Sequence, residues 1–513
     1  MKAVRWFKNS ISLIAALLVF TSAPHVSARR TDDTYNYDRW GEAIPSRAGY
    51  TVAGSISGRD LGVSDFAGIS DIFLASDGSF FICDSGNGRI VVTDSEFEEK
   101  TKIIDEIDYK GKKLSLENPG GIYVSDEGIL YIADTGNSRV IRCDLDGKAD
   151  LVIEKPDNVQ YTAVTFAPQR VLADKAGFIY VADGNITSGA VLFDRDGNFS
   201  GYYGANRVQQ TGEVLRNYFW KFLAGDEMRK YMTNAVPSAI SSFDNDEKGF
   251  IYTCSSSLSQ DIDMIKKVNA AGYNLFADME TDFGDRPTAD YSEYPQNSYV
   301  DIDVSPTGLI NCLDYTNGRI FQYDEECNLL FIFGGKGYQL GTFRQVSAVE
   351  SSEECVYVAD SQKNTITVFE ETEFGRTVHH ATELYNAGYY DEALEPWFDV
   401  LEQDGNYRMA HKGIASAYIN QGRYKEAMKY AKLADSQWRY NRAFEGWREE
   451  FVSTHLTELI LAAAALILIT VLSGRYLRKK SACSGKAVTE TAVNESTAEG
   501  DEQNDGSVGK TVG

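Results

Sequence analysis

Apolar and polar residues alternate with a period of two in short runs between residues 49 and 372, and the runs recur as a phrase. Its fullest copies read Phe80-Phe81-Ile82-Cys83-Asp84-Ser85-Gly86-Asn87-Gly88-Arg89-Ile90 and Leu130-Tyr131-Ile132-Ala133-Asp134-Thr135-Gly136-Asn137-Ser138-Arg139-Val140. Weaker copies occupy 179–193, 251–268, 310–323 and 356–369. The acidic anchor falls at Asp84, Asp134, Asp183, Asp314 and Asp360, and Ser255 stands in its place in the fourth copy. In the second copy, four strands are predicted at 121–125, 130–134, 139–144 and 149–154, with Asp-Gly and Gly-Asn turns between them. Such a unit cannot bury both of its faces alone and must stack on copies of itself. Four-stranded units at this spacing are propeller blades, so the fold class is mainly β, a six-bladed β-propeller over 49–372. The last copy lacks an outer strand, and a lone strand at 49–56 precedes the first; pairing them would close the ring and remove two edges.

The period changes at residue 376. Gly388-Tyr389-Tyr390-Asp391-Glu392-Ala393 aligns with Gly422-Arg423-Tyr424-Lys425-Glu426-Ala427, about 34 residues on, which predicts paired helices in a module at 376–451. An apolar stretch at 452–474 is long enough to span a bilayer, and Arg475, Arg478, Lys479 and Lys480 follow it. The remainder, 475–513, is polar and without periodicity, and reads as a disordered cytoplasmic tail. At the other end, 1–28 carries Lys2, Arg5 and Lys8, then an apolar run, then Val26-Ser27-Ala28, the pattern of a signal peptide. The expectation is a single-pass type I protein of the cell membrane, with its N-terminal domains outside.

Composition narrows the function. A net charge of −25 opposes attraction to nucleic acid. Residues 50–372 contain no histidine, which removes His-based acid–base catalysis and His-ligated zinc from the propeller. Cys83, Cys143, Cys254 and Cys312 fall in predicted strands as small core residues, whereas Cys327 and Cys355 are left open as either free thiols or a pair.

The motifs Asp84…Gly86-Asn87…Arg89, Asp134…Gly136-Asn137…Arg139 and Asp314…Asn317-Gly318…Arg319 resemble the NHL repeat, over about 50–372. Phe331-Ile332-Phe333-Gly334…Gly337…Gly341-Thr342-Phe343 is similar to that family's segment between blades. Residues 376–435 resemble the tetratricopeptide repeat. Some six-bladed propellers are calcium-dependent hydrolases or lactonases; no ligand set stands here at a recognisable spacing, so no cofactor is expected, and bound calcium with hydrolase activity is kept as a lesser alternative. Bacterial proteins joining such propellers and repeats look like accessory surface factors, including partners of transporters.

The repeat-turn residues Asp84, Asn87, Arg89, Asp134, Asn137, Arg139, Asp183, Asp314, Asn317, Arg319 and Asp360 read mainly as structural. Departures from the repeat mark the candidate binding face. The connections at 201–234 and 278–298 are swollen and lie on the face of those turns. The first carries Tyr202, Tyr203, Tyr218, Trp220 and Phe222 on an expected helical stretch, and the second carries Tyr291 and Tyr294 among carboxylates. Aromatic and acidic groups together suit a protein partner, a peptide or a glycan. The expected function is therefore a non-catalytic extracytoplasmic binding or scaffold protein, recognising a membrane-protein or extracellular partner. A carbohydrate-binding or processing surface protein is the alternative.

Overall fold

A computed structural model describes residues 34–38, 40–97, 102–206, 237–256, 263–277, 283–286 and 297–496, the last seventeen of these in backbone only. Six antiparallel sheets form six propeller blades around an axis. Blade one runs Ile69–Leu74, Ser79–Asp84, Arg89–Asp94 and Lys102–Ile104 from the axis outward. Blade two follows at Gly121–Val124, Leu130–Asp134, Arg139–Cys143 and Lys148–Ile153. Among the described residues blade four shows three strands, blade two shows six, and the other blades show four. The inner strands of blades one, three, four, five and six bulge near their first residue, which turns the next side chains towards the axis.

Ring closure follows the sequence pattern. The strand Tyr50–Ile56 pairs antiparallel with Thr365–Glu371, with Ile56 opposite Ile366 and Tyr50 opposite Glu371. One feature was not legible in the alternation. A hairpin of Glu106–Tyr109 and Lys112–Ser115 extends blade two, its first strand running parallel to the outer strand at Lys148 and Ala149. The described cysteines are all free, Cys327 and Cys355 included.

The helices begin where blade six ends. The Thr372 side chain caps α1 (Glu373–Asn386) by accepting from the Gly375 amide, and its hydroxyl donates to the Ala48 carbonyl at 2.8 Å. Helices α2 (Leu394–Gln403), α3 (Arg408–Asn420), α4 (Tyr424–Leu433) and α5 (Gln437–Thr454) pack in succession. Their core is continuous with that of blades five and six. Phe331 meets Phe374 and Tyr407, and the Tyr407 hydroxyl donates to the Leu330 carbonyl at 2.8 Å. Propeller and helices thus share one buried surface rather than a linker.

Helix α6 (Leu456–Ser496) includes a segment, Leu456–Lys479, long and apolar enough to cross a membrane, and none of it is buried against the protein. The helix continues to Ser496, whereas the sequence reading made everything after 474 disordered. No proline interrupts this stretch, and each residue added to an existing helix gains a hydrogen bond without a new nucleation cost. The segment 1–28 lies outside the described residues.

Candidate functional site

The repeat turns are tie points. Asp84 accepts from the Ala67 amide (2.8 Å), the Asn87 side chain (2.8 Å) and Arg89 Nε (2.7 Å). Asp134 repeats this with the Glu117 amide, Asn137 and Arg139. Each carboxylate binds the chain entering its blade to the turn between the second and third strands. Asp183 takes the Ala167 amide and the Tyr161 hydroxyl, Asp314 takes Ser298, Thr316 and Asn317, and Asp360 takes the Arg344, Gln345, Gln362 and Lys363 amides. Arg319 departs from the pattern: it reaches Asp285, which also accepts from the Tyr35 and Tyr37 hydroxyls of an N-terminal hairpin in which Tyr35–Tyr37 pairs with Ala43–Pro45. In the fourth copy Ser255 accepts from the Asn206 side chain at 2.7 Å.

The axis is polar and occupied by side chains. At the upper level the register aligns Asp71, Arg170, Ser242 and Asp301 of blades one, three, four and five. Arg170 donates to the Gly120, Ser70 and Ser347 carbonyls, and its Nε lies 3.6 Å from Asp71 and 4.0 Å from Asp301. One guanidinium therefore joins blades one, two, three, five and six. Asp71 in turn accepts from the Ile122 amide, and Asp301 from the Val349 amide, so the carboxylates also staple neighbouring inner strands. One level down, Phe73, Tyr123 and Leu172 face Asp244, Asp303 and Glu350. Burial raises the Asp71 carboxyl to about 7, with Arg170 opposing it. Burial likewise lifts Asp303 to about 6, against hydrogen bonds from Ser351 and Asn311, and pushes Glu350 and Asp244 well up. Among the described residues no group of three or more His, Cys, Asp or Glu side chains is arranged to hold a metal ion.

A groove lies elsewhere, between the propeller and the helices. It holds about 1020 Å³, at the upper limit of ligand pockets. Blade five contributes Glu326, Cys327, Asn328 and Leu329; the N-terminal hairpin contributes Asn36 and Tyr37. The opposite wall comes from α1, α3 and α5, through Tyr385, Arg408, Lys412, Ser416, Trp438 and Arg439. Because the two modules share a core, this groove is set by folding rather than by closure of a hinge.

The sequence candidates distribute unevenly. Tyr202 and Tyr203 do not lie on a helical insertion; they end the outer strand of blade three, Phe199–Tyr203. Alternation sends Tyr203 inward, where it is 7% exposed and its hydroxyl donates to the Asn269 carbonyl. Tyr202 is half-buried against Phe199, with its hydroxyl on the Gln160 carbonyl. These two are packing residues of the blade. Tyr218, Trp220, Phe222, Tyr291 and Tyr294 lie outside the described residues. The groove and the axial Arg170 were missed. A signal for the groove existed in Arg408 and Lys412, four apart on one helix, but nothing local showed that the propeller faces them.

A sequence model of the NHL repeat matches residues 116–143, the second copy. No curated protein sequence matches the chain. Among solved structures, the chain is similar to virginiamycin B lyase from Staphylococcus aureus, with 10% identity, a TM-score of 0.39 and coverage of 63% of this chain and all of that one. It is similar too to hydrazine synthase of Kuenenia stuttgartiensis (13%, TM-score 0.36, 60% and 97% covered). A third is the extracellular domain of a protein described as a one component system of B. thetaiotaomicron (14%, TM-score 0.37, 62% and 43% covered).

Proposed function

We propose that this chain is a membrane-tethered, extracytoplasmic recognition or scaffold protein without catalytic activity, and that the groove between blade five and the helices is its recognition seat. The observation that carries the reading is the groove itself, preformed and walled by two modules with one core. The helical module is read as tetratricopeptide-like, acting both as a wall of the groove and as the link to α6. The apolar face of α6, uncovered by protein and followed by Arg475, Arg478 and Lys479, supports a membrane anchor with the basic end in the cytoplasm. A membrane protein, such as a component of a transporter, is the partner class this placement favours.

The experiment is photocrosslinking in the native membrane from a residue in the groove wall, Asn420, and from one on the opposite side of the protein, with identification of what is captured. Reproducible capture from Asn420 supports the reading. Capture only from the opposite side would move recognition away from the groove.

A carbohydrate-binding surface is the second reading. It is favoured by Tyr338, 79% exposed with the Arg344 guanidinium 5.1 Å from its ring, in the connection from blade five to blade six. It requires glycan binding that Tyr338→Ala weakens.

A further inference from the structure

The charge of the groove runs against the charge of the chain. Five cations line it (Arg286, Arg408, Lys412, Arg439, Arg442), against the three carboxylates Glu326, Glu445 and Glu449, in a protein of net charge −25. Arg408, Lys412 and Ser416 are spaced by four residues on α3 and so present one face. Arg439 of α5 is hooked onto that face, with Nε donating to Ser416 Oγ at 2.9 Å.

Neutral oxygens hold Arg408, Lys412 and Arg439 in place. Lys412 Nζ donates to Asn328 Oδ1 of blade five at 2.7 Å. Arg439 also donates to Ser436 Oγ and to the Tyr385 hydroxyl, and Arg408 Nε donates to the Ala434 carbonyl at 2.8 Å. Carboxylates stand further off from these three, Glu326 at 3.9 Å from Arg439 and the exposed Asp435 at 3.8 Å from Arg408, whereas Glu445 pairs with Arg442 at 3.4 Å. Neutral acceptors fix a guanidinium or ammonium in space without cancelling its charge, which is the arrangement a preorganised anion site needs.

We propose that the cluster centred on Lys412 and Arg439 binds the oxyanion group, carboxylate or phosphate, of a soluble ligand, with Tyr390, Tyr424 and Trp438 flanking the ligand's body. The proposal rests on the reading of the groove as the recognition seat. A lipid headgroup is not the source the geometry favours. Arg442, the groove cation nearest α6 along α5, stands about 21 Å of helix before the first residue of that helix.

The site has a built-in signature. Burial lowers the Lys412 ammonium to about 7, and the neighbouring Arg408, Arg439 and Arg286 push the same way, with Asp324 opposing. Glu326 adds its charge from the same blade, at Arg439. An anion placed beside Lys412 restores the proton, so binding takes up a proton from solvent at neutral pH and weakens as pH rises.

The test is calorimetric titration of the full-length protein in detergent with sulfate and with glutarate, two anions that scarcely titrate between about pH 6.5 and pH 8.5. At least one is expected to bind about ten-fold more tightly at the lower pH, with proton uptake seen as a dependence of the heat on buffer. Lys412→Gln should lower the affinity about ten-fold at the lower pH and abolish the proton uptake. Since it removes a desolvated charge, it should not cost stability. Preference for sulfate identifies a phosphate-like ligand; preference for glutarate identifies a carboxylate, from a small acid or an acidic chain. No binding of either at about 10 mM, or binding that Lys412→Gln leaves unchanged, overturns the proposal. Crosslinking from Asn420 separates the two readings: a partner captured there without anion binding leaves the recognition seat standing and removes the oxyanion site.

Discussion

The Arg170 guanidinium of blade three lies 3.6 Å from the Asp71 carboxylate of blade one, across the propeller axis. Its Nη2 donates to both the Ser70 and the Ser347 carbonyl, which belong to blades one and six. Arg170→Met should therefore destabilise the protein by about 3–5 kcal/mol, because Asp71 and Asp301 are left buried without their cation. Urea unfolding of the wild type and variant measures this. Adding Asp71→Asn and Asp301→Asn to Arg170→Met should recover part of the loss, and no recovery would mean that the carbonyl contacts dominate.

The inner carboxylates give an inverted pH dependence. In the fold Asp303 and Asp324 hold their protons up to about 6, and Asp71 up to about 7, against 3.8 for an ordinary aspartate. Between those values the folded chain binds more protons than the unfolded one, so these groups add stability as pH falls through 7 towards 5 and remove it as pH rises. Asp303→Asn should flatten the wild-type change in urea midpoint between about pH 5 and pH 8. An unaltered slope would show that Asp303 titrates normally.

Closure by the N-terminal strand predicts an assembly defect. Deleting residues 34–56 exposes the edge of Thr365–Glu371, whose partner is Tyr50–Ile56. An unpaired edge recruits another chain, so the truncated protein should form oligomers by light scattering where the intact one does not.

The groove wall depends on the contact between Gly413 and Trp397. A Cβ added at Gly413 would overlap the Trp397 indole, which is fully buried beneath α3. Gly413→Ala should cost about 1–3 kcal/mol and shift α3, weakening whatever binds Lys412. Thermal unfolding reads the first effect and ligand titration the second.

Much of the propeller was legible because its information is local. The Asp84, Asn87, Arg89 set and its Asp134, Asn137, Arg139 copy make bonds within a blade and its entering segment, so spacing in the sequence is spacing in the structure. Tyr203 was misplaced because the outer strand runs directly into the long connection, and an aromatic pair there matches either one. Arg170 gave no sign of its role: its carbonyl partners are up to 177 residues away, and its position in the repeat is filled by Asp71, Ser242 or Asp301 in other blades. The groove was hidden for the same reason. Lys412 and Asn328 are 84 residues apart and belong to different modules, so no window of sequence contains both.

The pairing of Tyr50–Ile56 with Thr365–Glu371 also orders events in time. The propeller strand synthesised first is the last to find its place, since its neighbour emerges more than three hundred residues later. Until then blade one and its successors stack as an open arc with two raw ends. Contacts of such long range form slowly, and the arc is exposed to self-association throughout. A growing chain of this kind has reason to be escorted until its final blade is complete, and the last turn of the key is the helical module, whose first cap, Thr372, grips Ala48 and Gly49 beside that same strand.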